Sequence, residues 1–142
     1  MIRLLVLCAL LSAPLAARAA ESDDQTRARK AATDVAGGFA NDGFKTRDGF
    51  WSGPVRPGDP AIVAVNLYAG NQYWFSAGAN EQAKKIAVTV FDETGRQVVS
   101  EPYSAGEKAA AGFSPTNSGQ FYVSIAITEG EPAVCCLIYS YK

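Results

Sequence analysis

The sequence predicts an all-β domain, a two-sheet antiparallel β-sandwich with a short helix ahead of it, and three observations lead there. From Phe44 onward the chain is a succession of short apolar or alternating runs, the period of half-buried strands. Clusters such as Ala69-Gly70-Asn71 and Asp92-Glu93-Thr94-Gly95 separate the runs and supply the backbone conformations of tight hairpins. Several runs are apolar on alternate residues, so two sheets must cover one another to bury both inner faces.

The elements follow in order. Ser22-Asp23-Asp24 reads as a helix N-cap with acids in the first turn, where they suit the helix dipole. The helix is expected to continue through Ala31, Ala32 and Val35 and to stop at Gly37-Gly38, where a C-terminal glycine belongs. Strands are expected over Gly43–Trp51, Ala61–Tyr68, Gln72–Ala77, Lys85–Asp92, Arg96–Ser100, Ala109–Ser114, Gln120–Thr128 and Ala133–Tyr141. Arg96–Ser100 is either a separate strand or the far arm of a hairpin. Prolines in Pro57-Gly58-Asp59-Pro60 and Glu129-Gly130-Glu131-Pro132 bar those stretches from a sheet centre. Alternation nominates the inward sets Val63, Val65 and Leu67; Ile86, Val88 and Val90; and Phe121, Val123, Ile125 and Ile127.

Ahead of this domain, Arg3 precedes an apolar run from Leu4 to Leu11, Pro14 breaks it, and Ala17-Arg18-Ala19 supplies small residues at a cleavage site. This is the pattern of a secretory signal peptide, and the run is too short for a permanent membrane span. The expected organisation is therefore a leader over 1–19, a helical lead-in over 20–42 and a β-sandwich over 43–142, working in the periplasm or outside the cell. Cys8 reads as part of the removed leader. Removing 19 of 142 residues leaves 123, enough for one domain. Arg3 and Arg18 leave with the leader, so the mature charge is 11 minus 14, or −3. That mild acidity, without any long run of like charge, argues against nucleic acid and against membrane insertion.

The chain has no histidine, which removes the commonest general base and transition-metal ligand. Zinc hydrolysis and Ser-His-Asp or Cys-His catalysis are excluded in their usual forms. Neither Ser-x-x-Lys nor Gly-x-Ser-x-Gly occurs; Ser104 lies four residues before Lys108 in a Gly-containing loop. Only a carboxylate pair remains as a catalytic option, and a noncatalytic role is expected. The aromatic residues point to binding instead. Trp51, Tyr73, Trp74 and Tyr103 are the candidate ligand contacts, since aromatic side chains bring large area at low entropy cost. Trp74, between Tyr73 and Phe75, faces away from whatever face those two fill; it either stacks on a ligand or is covered by the N-terminal segment. Cys135-Cys136 has three readings: two small buried hydrophobes, a vicinal disulfide, or an intermolecular bond in an oxidising compartment.

Leu67, Ala69-Gly70-Asn71, Tyr73 and Phe75, then Ile86, Val88 and Val90 before Asp92-x-x-Gly95, then Phe113-x-Pro115 and Ser118-Gly119-x-Phe121-Tyr122-Val123 together resemble the bacterial pre-peptidase C-terminal domain. The resemblance spans roughly residues 43–141. It implies a jelly-roll-like sandwich serving as an accessory module in targeting, secretion or substrate binding, and in some members calcium binding. Asp23, Asp24, Asn41, Asp42, Asp92 and Glu93 are the oxygen donors such an ion would use. No dense calcium loop is present, and the same residues also read as ordinary turns; no other cofactor is implied. The expected function is an exported binding module for a glycan, a polypeptide or a partner protein. The alternative is a structural homo-oligomer built through an edge strand or the C-terminal strand.

Overall fold

The computed structural model describes residues 21–142; the expected leader and its cleavage site after Ala19 lie outside them. Helix α1 (Asp23–Ala40) starts where its cap predicts. The Gln25 N–H donates to Ser22 Oγ at 3.2 Å, and the Ser22 N–H donates to Gln25 Oε1 at 2.9 Å, a reciprocal arrangement that satisfies two otherwise orphaned donors. The helix does not stop at Gly37-Gly38 but runs on to Ala40. The reason is tertiary: Phe39 stacks on Trp74, ring centroids 4.0 Å apart and planes at 9°, and this contact offsets glycine penalties of about 1 kcal/mol each.

Nine strands follow: β1 (Lys45–Thr46), β2 (Trp51–Val55), β3 (Ala61–Leu67), β4 (Tyr73–Ala79), β5 (Ala83–Phe91), β6 (Glu101–Ala105), β7 (Lys108–Phe113), β8 (Gly119–Gly130) and β9 (Ala133–Tyr141). The single strand expected over Gly43–Trp51 is broken, with Gly49 at φ +87° between β1 and β2. Strand β2 runs through Pro54, which a strand paired on one side only can accommodate. Arg96–Ser100 forms no strand of its own; Gln97 makes one bridge to Phe91 and the Val98 N–H donates to Val90 O at 3.0 Å. Ala69-Gly70-Asn71 closes no hairpin, because β3 and β4 lie in different sheets.

All pairing is antiparallel. The six-stranded sheet has the order β1-β9-β4-β7-β6 with β2 also beside β9, and the three-stranded sheet has the order β3-β8-β5. The runs β2-β9-β4-β7 and β3-β8-β5 follow the jelly-roll order. The chain from Gln97 to Ala105 starts beside β5 and then turns over to pair β7 in the larger sheet.

Between the sheets, Leu67, Phe75, Ile86, Val90, Val123, Ile125 and Leu137 form the centre of the core. The inward sets nominated from alternation all fall there, Val63, Val88 and Phe121 in its half-buried margin. Helix α1 forms a third layer on the outer face of the larger sheet, where Ala28, Ala32 and Ala36 pack on Cys136 and Ile138. Small residues let the layers approach closely. A Cβ added to Gly78 would lie 2.3 Å from Ala32 N, 2.6 Å from Ala31 Cβ and 2.7 Å from Ala28 O. No element among the described residues covers the outer face of the three-stranded sheet, where Ile62 is 56 % exposed.

Candidate functional site

The structure disperses the candidate calcium donors. Asp23 and Asp24 open α1 and Asp42 follows its end, so the 18-residue helix separates them by about 27 Å. Asp92 is committed to its own turn: Oδ1 accepts from the Thr94 N–H at 2.9 Å, Thr94 Oγ1 at 2.6 Å and the Arg96 N–H at 3.0 Å. The Thr94 hydroxyl first, then the Arg96 amide, holds this carboxyl below its ordinary pKa. Glu93 is exposed in the same turn. Among the described residues no group of three or more Asp, Glu, Cys or His side chains converges to hold a metal ion. Asp23, Asp24, Asp42, Asp92 and Glu93 therefore do not form one calcium site.

The four aromatic candidates also separate. Tyr73 is not a ligand contact: it is 2 % exposed, and its hydroxyl accepts from the Tyr68 N–H at 2.9 Å and from Asn71 Nδ2 at 3.2 Å, fixing the corner between β3 and β4. Trp74 lies under Phe39 and over Gly112, whose added Cβ would sit 2.9 Å from Trp74 Cζ2; it is covered by the N-terminal segment. Tyr103 is 45 % exposed on β6. Four strand steps separate β6 from β2, which bears Trp51, roughly 19 Å. Trp51 and Tyr103 thus belong to opposite edges of the larger sheet.

Cys135 and Cys136 are free thiols, both buried. Cys135 belongs to the core between the sheets and Cys136 to the layer beneath α1, so no disulfide joins them and neither reaches a second chain. Burial first, and for Cys135 its neighbour next, pushes the thiols up to about 12 and about 11.

Of the clefts among the described residues, two bring together charged side chains from separate elements of the fold. A cleft of about 500 Å³ between α1, the β4–β5 turn and β7 is lined by Arg27, Lys30, Asp34, Glu81 and Lys108. Five of its charges are engaged with one another: Arg27 meets Glu81 at 2.6 Å, and Asp34 meets Lys30 at 3.1 Å and Lys108 at 3.5 Å, while Lys84 and Glu107 also line it. These pairs tie the helix to the sheets. The second is a groove of about 300 Å³ between β3 and the segment leading into β2, lined by Arg47, Asp48, Phe50, Trp51, Val63–Asn66 and Tyr139.

This groove is built from the open side of the sandwich. Trp51 lies across Gly53, where an added Cβ would come within 2.8 Å of Trp51 Cζ2, so the indole is seated flat on its own strand. Phe50, 50 % exposed, has the Arg29 guanidinium 5.6 Å from its ring centroid. Arg47 lies 5.5 Å from the Tyr139 ring centroid, and its N–H donates to Tyr139 O at 2.9 Å. Burial raises the Tyr139 hydroxyl above its ordinary pKa while Arg47 opposes that shift. Neither Arg47 nor Asp48 takes part in an ion pair among the described residues. The groove therefore offers aromatic surface, one free charge of each sign and the backbone of β3.

Sequence reasoning found Trp51 but missed Arg47, Asp48, Phe50 and Tyr139, because it ran one strand through Gly49. It also passed over Ile62, Ala64, Phe91 and Tyr122, which cross-strand register places side by side on the uncovered outer face. Their signal was present: Ile62, Ala64, Phe91 and Tyr122 are apolar or aromatic residues on the faces opposite the nominated inward sets. No protein-family model matches the chain, and no curated protein matches it. What fold and groove define together is a jelly-roll-like sandwich with a helical third layer and one edge strand facing a groove.

Proposed function

We propose that this chain is an exported, noncatalytic binding module of the bacterial cell envelope, akin to the pre-peptidase C-terminal domains it resembles, that recognises a polypeptide or glycan partner. The observation that supports the reading is the groove beside β3: an aromatic wall of Phe50, Trp51 and Tyr139 next to free charges from Arg47 and Asp48. Binding sites are typically such concave, mostly apolar places with a few polar groups. The test is a nitrogen-15 NMR titration with soluble glycan fragments and with extended peptides. Shift changes confined to residues 47–51, 63–66 and 137–139, lost in Phe50→Ala, are expected. Changes elsewhere, or none with either class, would sink it.

The structural homo-oligomer is the second reading, and one observation narrows it. β9 lies between β4 and the β1/β2 pair, so the C-terminal strand is closed to a partner and only an edge strand such as β3 could serve.

A further inference from the structure

The edges of the two sheets are not alike. β6 carries Glu101 and Pro102, and β2 carries Pro54. β5 carries Lys84 and Lys85 near its start, has irregular register between Ala83 and Ile86, and is capped where the Ile86 N–H donates to Gly106 O and Val90 O accepts from the Val98 N–H. Proline, charge, bulges and covering segments are the usual means of preventing an edge from pairing with another chain. β3 has none of them. Its seven residues, Ala61 to Leu67, include no proline and no charge, and it pairs with β8 alone. Among the described residues no backbone hydrogen bond beyond that ladder involves residues 61–67. An antiparallel ladder occupies only every second residue of an edge strand, so about half of its N–H and C=O groups face outward unpaired.

Val63, Ala64, Val65 and Asn66 of this edge line the groove just described. Along it the half-buried Trp51, Val63 and Tyr139 form the margin of the core, which is therefore incompletely sealed at this side. Resting on the binding reading above, we infer that β3 accepts an extended segment of a partner polypeptide as a fourth strand of the small sheet. Main-chain hydrogen bonds supply the affinity in such strand addition, and alternate side chains supply the specificity. The segment the groove fits is uncharged over its centre. Its inward residues are apolar, seated against Trp51 and Tyr139, and its outward residues continue the row of Ile62 and Ala64. Arg47 and Asp48 together are neutral, so the groove selects neither a strongly acidic nor a strongly basic chain. Segment 47–51 walls the groove opposite β3. That makes it a slot for a single strand, whereas a second copy would bring its own wall against this one.

The test uses a fluorescein-labelled heptapeptide of alternating valine and threonine with a lysine at each end, seven residues to match β3. Anisotropy should show saturable binding. It should survive methylation of the backbone nitrogens along one peptide edge, and disappear when every backbone nitrogen is methylated although the side chains are unchanged. The variant Ile62→Lys/Ala64→Lys, altered at two exposed positions, should keep the native melting curve and bind at least roughly tenfold more weakly, as charged edges do. Equal binding of the fully methylated peptide would overturn strand addition while leaving the groove as a binding site. A dimer in sedimentation that the lysines abolish, without peptide binding, would assign the edge to a second copy instead. A monomer that binds no peptide refutes the inference; glycan-induced shifts in the same groove would then still support the binding module, and their absence would remove both.

Discussion

Substituting alanine for Gly78 adds one methyl group where the helix layer rests on the larger sheet. The new Cβ would lie 2.3 Å from Ala32 N. Restoring an ordinary separation of 3.4 Å requires α1 and β4 to part by about 1.1 Å, and all three contacts, Ala32 N, Ala31 Cβ and Ala28 O, are backbone or Cβ, with no flexible side chain to give way. Such a gap forfeits much of the dispersion between Ala28, Ala32 and Ala36 and the sheet residues Cys136 and Ile138. Overpacking of this kind costs about 2 kcal/mol, which lowers Tm by on the order of 8 °C in a domain of this size. The control is the same chemical change at Gly37 or Gly38. Neither added Cβ meets anything within 4 Å, and both lie inside α1, so alanine there should raise stability by up to about 1 kcal/mol each. Calorimetry of the three variants decides. If Gly78→Ala melts within a degree of the parent, or Gly37→Ala melts lower, the close seating of α1 is wrong.

Other outcomes follow from the same geometry. Phe39→Ala should lower stability by roughly 1–2 kcal/mol through loss of the stack on Trp74, and should red-shift the tryptophan emission; an unchanged spectrum would refute the stack. With thiols raised to about 12 and about 11, native protein should react slowly with a disulfide reagent at pH 8. Cys136, under the helix, should be labelled before Cys135, and Gly78→Ala should accelerate Cys136 alone, as peptide mass mapping would show. Because the Asp92 carboxyl is held below its ordinary value by Thr94 and Arg96, its contribution is present above the ordinary carboxylate range and is lost as pH falls through the folded value. Asp92→Asn should therefore melt lower than the parent at neutral pH, and the two curves should converge in acid; a constant difference down to the lowest folded pH would contradict this.

The residues explain why some of this structure was legible in the sequence. In strands β3, β5 and β8 larger apolar residues recur at every second position, and these inward sets pack as the alternation nominates. The Ser22 cap marks the start of α1 because capping is local chemistry. The end of α1 was not legible: Gly37-Gly38 carries a local stop, and only the distant Trp74 explains why Phe39 stays helical. The same holds for the Ala69-Gly70-Asn71 turn, whose composition suits a hairpin and a crossover between sheets equally. Trp51 was visible as a candidate, but the groove depends on bringing residues 47–51, 63–66 and 139 together, and no local pattern encodes that meeting.

The two adjacent thiols also give the folded molecule a memory. Neighbours in sequence, they sit in separate compartments, one between the sheets and one beneath the helix, and while the domain is closed an oxidant finds neither. Each opening under oxidising conditions exposes a thiolate source that can be captured covalently before the chain recloses. The lifetime of the protein in such a setting is then set by how often α1 lifts and the sandwich parts, a rate and not an equilibrium. Replacing both cysteines with alanine or valine should lengthen that lifetime even where it lowers Tm.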